Sequence, residues 1–188
     1  YDPHVWMVPD LWQNVAHTIR DALIAADPDQ ADAYSTNTET FLAELETVLG
    51  PLAQDQNTLA LRDYHAENLI WMGQRSGVAR VGLLDFQDAM IAHPAYDLAS
   101  LLTDARRDID AGLRDAMIGR YIKATGVDAA TFRADFAALS VQRNLRILGI
   151  FARLARQDKR QAYLALIPRV WGYLIDQMQH PALSRLRE

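Results

Sequence analysis

The sequence predicts a mainly helical protein with one small β-hairpin element. Apolar residues recur at helical spacing over residues 10–26 and across much of 95–179. Between these stretches, "TLAL" (58–61), "NLIWM" (68–72) and "VARVGLL" (78–84) are short apolar runs bounded by turn residues. The turn "GQRSG" (73–77) separates the last two, so residues 68–84 read as a hairpin.

Taken in order, residues 10–26 place Leu11, Val15, Ile19, Leu23 and Ala26 on one face, with Asp10 as N-cap. "DPDQ" (27–30) restarts a helix. Asp27 caps it, Pro28 suits the first helical position, and Gln30 stands where a capping box needs it. This second helix is expected to run to about Leu49, to end at Gly50–Pro51, and to bury Phe41, Leu45 and Val48 or Leu49. Strands follow, and then helices near 95–104, 111–125, 128–157 and 161–179. No internal repeat, low-complexity tract or flexible linker breaks the chain. The expected organisation is a two-helix N-terminal segment over 1–51 and a second unit over 52–188.

Composition narrows the function classes. A net charge of −5 argues against a general nucleic-acid-binding surface. The absence of cysteine excludes disulfides, thiolate metal sites and a Cys nucleophile, and it fits a reducing, cytoplasmic setting. No apolar run reaches the roughly 18 residues of a membrane span. The start, "YDPHVWMVPD", has no basic-then-apolar signal pattern and no initiator Met, so the chain reads as a fragment or a processed product.

The chemistry concentrates in two places. "LRDYHAENLIW" (61–71) sets Asp63, His65, Glu67 and Asn68 between apolar runs, and "LLDFQDA" (83–89) carries Asp85 and Asp88. A hairpin brings its two ends together, so Asn68 and Asp85 are expected side by side, with Asp63 one short loop away. Hard oxygen ligands at that spacing suit Mg²⁺, which is commonly held by one or two carboxylates together with substrate phosphates. On its own, His65 reads as a hydrogen-bonded structural histidine, and Asp88 is divided between a helix cap and a site residue. Arg143, Arg146 and Arg153 recur at helical spacing. They read as a solvated face ahead of a contact to an anionic substrate or phosphate. Ile147, Ile150, Phe151 and Leu154 read as core, as do Trp71 and Trp171.

Asp-x-x-x-x-Asn followed by Asp-Phe resembles the catalytic core of the protein-kinase-like phosphotransferases. "DYHAEN", with His two residues after the Asp, is similar to the aminoglycoside phosphotransferase and choline kinase branch. Within it, "LRDYHAENLIW…GLLDFQDAMIAHPAYDLASLL" most resembles the bacterial anomeric N-acetylmuramate/N-acetylglucosamine kinases, over about residues 55–180. The resemblance implies the C-terminal lobe of a kinase fold, with the N-terminal lobe absent. It implies ATP and Mg²⁺ as cofactors and a sugar hydroxyl as acceptor. Asp63 would be the catalytic base, with His65 supporting its loop. Asn68 and Asp85 would hold Mg²⁺ on the nucleotide phosphates, and Asp97 in "YDLASLL" would be structural. Leu61 stands where the motif usually opens with His, and Gln87 where protein kinases have Gly. Both departures fall at supporting positions.

"YDPHVWMVPDLWQNVAHTIRDALIAADPDQADAY" resembles a different family, the periplasmic zinc/manganese-binding proteins of metal importers. That resemblance implies His4 as a metal ligand, yet one imidazole does not make a site where Zn²⁺ takes three or four ligands. Two resemblances in one chain read as a chimera, a designed sequence, or a chance match of the first helices. The alternatives to a sugar phosphotransferase are a non-catalytic kinase-fold remnant and a metal-solute-binding segment.

Overall fold

The computed structural model describes residues 9–55, 57–157 and 161–187. Helices α1 (Pro9–Ala26) and α2 (Ala31–Gln54) lead into β1 (Thr58–Ala60), β2 (Leu69–Trp71), β3 (Val81–Leu83) and β4 (Met90–Ala92). Helices α3 (Ala95–Leu102), α4 (Ala111–Thr125), α5 (Ala129–Gln157) and α6 (Ile167–Gln177) follow. The fold is thus mainly helical with a little antiparallel sheet.

The predicted hairpin forms, with Leu69 opposite Leu83, Ile70 opposite Gly82, and Trp71 opposite Val81. It is shorter than expected, because residues 77–80 coil into a 3₁₀ turn and do not begin the strand. Sequence reading missed β4, which pairs antiparallel with β1 through Thr58–Ala92 and Ala60–Met90. Three-residue strands are too short for alternation to reveal.

The core gathers around α5, which is buried all round over its middle, including Phe132, Phe136, Leu139 and Val141. Against it pack Leu45, Leu49 and Leu52 of α2, Tyr96, Ala99 and Leu102 of α3, Ile118 of α4, and Leu174 of α6. A second cluster joins Phe151 to Ala105 and Val170, with Ile147 and Ile150 half-buried beside it. Helix ends follow local chemistry. The Asp110 carboxylate caps α4 by accepting the N–H groups of Gly112 and Leu113. Gly126 closes the same helix at φ 74°, a conformation that favours glycine.

Several expectations needed correction. α2 does not stop at Gly50–Pro51 but continues to Gln54, because Leu52 is buried in the same core as Leu45 and Leu49. Packing outweighs the one hydrogen bond that Pro51 removes. The Asp27 side chain makes no capping bond, and residues 28–30 form a separate 3₁₀ turn. On α1, Ile19 and Leu23 are exposed and not buried. Periodicity shows which residues share a face, but not whether anything covers it. Trp71 and Trp171 are exposed as well, at 66% and 53%. The Arg80 guanidinium lies over the Trp71 ring, 4.7 Å from its centre. No described helix is long and apolar enough to cross a membrane.

Candidate active site

The polar loop between β1 and β2 is folded tightly on itself. The Asp63 N–H donates to the Leu61 carbonyl at 2.9 Å across Arg62, whose φ is 69°. This is a γ-turn of the rare positive-φ kind, strained for a residue with a side chain. His65 N–H then donates to Asp63 O at 3.1 Å, and Asn68 N–H donates to His65 O at 2.9 Å. Asp63 is left exposed at the outer bend of this loop.

Helix α3 and the turn after it hold the loop from beneath. One Asp97 oxygen accepts the Leu61 N–H at 2.7 Å and the other accepts the Arg62 N–H at 3.1 Å. The Ser100 hydroxyl donates to the Arg62 carbonyl at 3.4 Å. Asp104, fully buried, accepts the Ala66 N–H at 3.2 Å and the Arg106 N–H at 3.0 Å. Arg106 reaches back to Glu67 at 2.8 Å. Asp97, Ser100 and Asp104 stand at i, i+3 and i+7, one face of the helix and its extension. Sequence reading found Asp97 but missed Ser100 and Asp104. Their polar spacing in "YDLASLLTDAR" was the available signal.

Asn68 links the loop to the hairpin. Its Nδ2 donates to the Asp63 carbonyl at 2.9 Å and lies 3.4 Å from His65 Nε2. These contacts assign the amide nitrogen and leave the Asn68 carbonyl oxygen available. The Asn68 backbone carbonyl accepts the Leu84 N–H at 2.9 Å, so Asp85 emerges next to it on the opposite strand. Asp85 is exposed with φ 54°, a left-handed conformation that Asp tolerates better than most residues. Gln87 donates to its Oδ1, leaving Oδ2 available. The hairpin thus brings Asp63, His65, Asn68 and Asp85 to one end.

Of the two readings of Asp88, the helix cap is removed. Asp88 lies in the turn at 87–88 before β4, so it caps no helix.

The electrostatics follow from burial. Burial, helped by Arg106, lowers the His65 pKa, although Asp104, Asp63 and Glu67 pull it up. With Nε2 facing the Asn68 amide, neutral His65 carries its proton on Nδ1, which is buried and has no protein partner. Burial raises the Asp97 carboxyl, opposed by the N–H groups of Leu61 and Arg62. Arg143 is 8% exposed and not solvated as expected, and burial lowers its pKa against the pull of Tyr96, Asp104 and Asp63. Arg146 is half-buried. The side chain of Arg153 and all of His4 lie outside the described residues. Among the described residues, no group of three or more His, Asp or Glu side chains could hold a metal ion alone.

Comparison with known proteins gives two kinds of match. The family model for the periplasmic zinc-uptake complex component A matches residues 1–67. The N-acetylmuramate/N-acetylglucosamine kinase of Caulobacter vibrioides is 40% identical, over the whole of this chain and 52% of that protein. The kinase of the same name from Neisseria meningitidis is 35% identical over 69% of this chain and 40% of its own length. That from Pseudomonas putida is 31% identical over 73% of this chain and 41% of its own length. The Caulobacter match runs through the residues that the zinc-uptake family also matches. One relative therefore accounts for both the first 50 residues and the rest, and the kinase resemblance extends beyond 55–180. The chain is similar to the Caulobacter kinase along its entire length and to the other two over about 70% of it, and it spans 52%, 40% and 41% of these three relatives' own lengths.

Proposed function

We propose that this chain is the acceptor-side part of an ATP-dependent amino-sugar kinase, the C-terminal lobe of a protein-kinase-like fold. The observation that carries this reading is the meeting of Asn68 and Asp85 across the mouth of the β2–β3 hairpin, with Asp63 tied to Asn68 at 2.9 Å. In this reading Asp63 orients the acceptor hydroxyl and accepts its proton. His65, Asp97 and Asp104 fix the loop. The free oxygens of Asn68 and Asp85 are the ligands for Mg²⁺, a donor set that suits a cation held jointly with nucleotide phosphates. When bound, Mg²⁺ neutralises charge developing on the transferred phosphoryl group. The protein contributes positioning. The two parts, 1–51 and 52–188, meet within α2, which packs Leu45 and Leu49 from the first and Leu52 from the second on one shared core.

A kinase of this type also needs a glycine-rich loop and a lysine over the phosphates. The nine glycines include no G-x-G, and the two lysines are Lys123 in α4 and Lys159. Those parts therefore come from outside this chain, and the chain by itself binds Mg·ATP weakly and phosphorylates no sugar. The test is nucleotide titration with and without Mg²⁺, on the chain and its Asp85→Ala variant. The expected result is weak binding that depends on both Mg²⁺ and Asp85. Binding indifferent to both would leave a non-catalytic kinase-fold remnant as the better reading.

A further inference from the structure

A cleft of about 200 Å³ opens between α4, α5 and the turn that follows α6. No residue of the proposed catalytic loop or of the β2–β3 hairpin lines it. Buried Ile118 and Phe136 supply its apolar lining. Its polar lining is Arg114, Asp115, Arg133, Gln177 and His180. The chain as a whole carries a charge of −5, yet this lining sets two arginines and a histidine against one carboxylate.

Both arginines are tethered, and neither is saturated. Arg114 is buried, with its guanidinium 5.7 Å from the centre of the Tyr173 ring. Its Nη2 donates to Asp176, an acceptor shared with Gln177 Nε2 at 2.9 Å. Arg133 gives Nη1 to Asp115. A guanidinium carries five N–H donors, so each arginine has donors to spare. The carboxylates that hold them are loose tethers. The side chains of Asp176 and Asp115 are 51% and 68% exposed, where solvent weakens an ion pair. An incoming anion can share the arginines with them or displace them. His180 adds a donor of fixed identity. Its Nδ1 accepts the Ala182 N–H at 3.3 Å, so the neutral ring carries its proton on Nε2.

These donors stand on three separate elements: Arg114 on α4, Arg133 on α5 and His180 in the turn after α6. One guanidinium fork matches a planar carboxylate by itself. Donors that approach from three sides suit a tetrahedral oxyanion better. We propose that this cleft binds the phosphate group of a small metabolite, held by Arg114, Arg133 and His180. The site is distinct from the proposed kinase site and does not depend on that reading. A phosphate bound here ties α4, α5 and the end of α6 together.

The experiment is calorimetric titration of the chain with inorganic phosphate, and with acetate for comparison, at constant ionic strength and without Mg²⁺. The proteins are wild type, Arg133→Gln, His180→Gln and Asp115→Asn. Wild type should bind one phosphate, at least about tenfold more tightly than acetate. Arg133→Gln and His180→Gln should each weaken phosphate about tenfold, the scale of one charge-assisted hydrogen bond. Asp115→Asn should tighten it, because that change removes the competing carboxylate and releases Arg133. A purely structural Arg133–Asp115 pair gives no such gain, and a misfolded variant cannot produce one. No saturable phosphate binding by wild type would overturn the proposal. So would equal affinity for phosphate and acetate, unchanged affinity in both Arg133→Gln and His180→Gln, or weaker binding by Asp115→Asn. None of these outcomes touches the kinase reading, which the Mg²⁺ dependence of nucleotide binding tests separately.

Discussion

Asp97 grips the backbone of Arg62 from one helix away: its two oxygens accept the N–H groups of Leu61 and Arg62 at 2.7 and 3.1 Å. This contact holds the strained turn in which Arg62 adopts φ 69°. Asp97→Ala would leave two donors of a tightly folded loop unpaired, at a cost of about 3 kcal/mol. Asp97→Asn keeps one acceptor and should lose about half as much. Urea denaturation of the three proteins measures both. Equal stability would mean that the loop is held by Ser100 and Asp104 without Asp97.

Asp63 should govern turnover and not folding. Its side chain is exposed, and its structural bonds run through its backbone. In any longer form of the protein that phosphorylates an amino sugar, Asp63→Ala is expected to lower kcat by about 10²- to 10⁴-fold with little change in melting temperature. Asp85→Ala should instead abolish use of Mg·ATP. A coupled ADP-release assay measures both, and near-normal activity in either variant would show that the roles are assigned to the wrong residues.

The strands and the turns beside them expose Leu59, Ile70, Trp71, Val78, Leu83, Leu84, Phe86 and Ile91. So much apolar surface close together favours association. Sedimentation velocity is expected to show concentration-dependent self-association of the chain. Trp71→Lys with Phe86→Ser should reduce it. A chain that stays monomeric at high concentration would contradict this.

Asp135 provides a test of pH dependence. His93, buried beneath α3, lies 3.4 Å from the Asp135 carboxylate and 3.6 Å from that of Asp55. Burial raises the Asp135 pKa, His93 opposes the rise, and Asp55 adds to it. A carboxyl whose folded pKa lies above its unfolded value binds protons more tightly when folded. Stability from this group is therefore present at the acid end and falls as pH rises from the ordinary carboxylate range through the raised value. Asp135→Asn removes this slope. Urea midpoints of wild type minus variant should decline across that interval, and a flat difference would refute the assignment.

Much of the helical part was legible in the sequence. Helices expected over 111–125 and 128–157 form as α4 and α5, and the periodic run of α2 marked its apolar face. The hairpin followed from turn residues between two apolar runs, and its ends carry Asn68 and Asp85. The strand β4 was not legible, because three residues carry no reliable period.

The sequence by itself determined which residue types surround the loop, the spacing of Asp63, Asn68 and Asp85, and which residues share a helical face. Only the tertiary structure decided what each face meets. It left Ile19, Leu23, Trp71 and Trp171 in solvent, and it sealed Arg143, Ser140 and Asn144 beneath the loop. It also carried α2 through Pro51, because burying Leu52 outweighed a lost backbone bond. The physical reason is common to all three. Backbone geometry and capping act between neighbours in sequence, whereas burial depends on partners that folding brings from elsewhere in the chain.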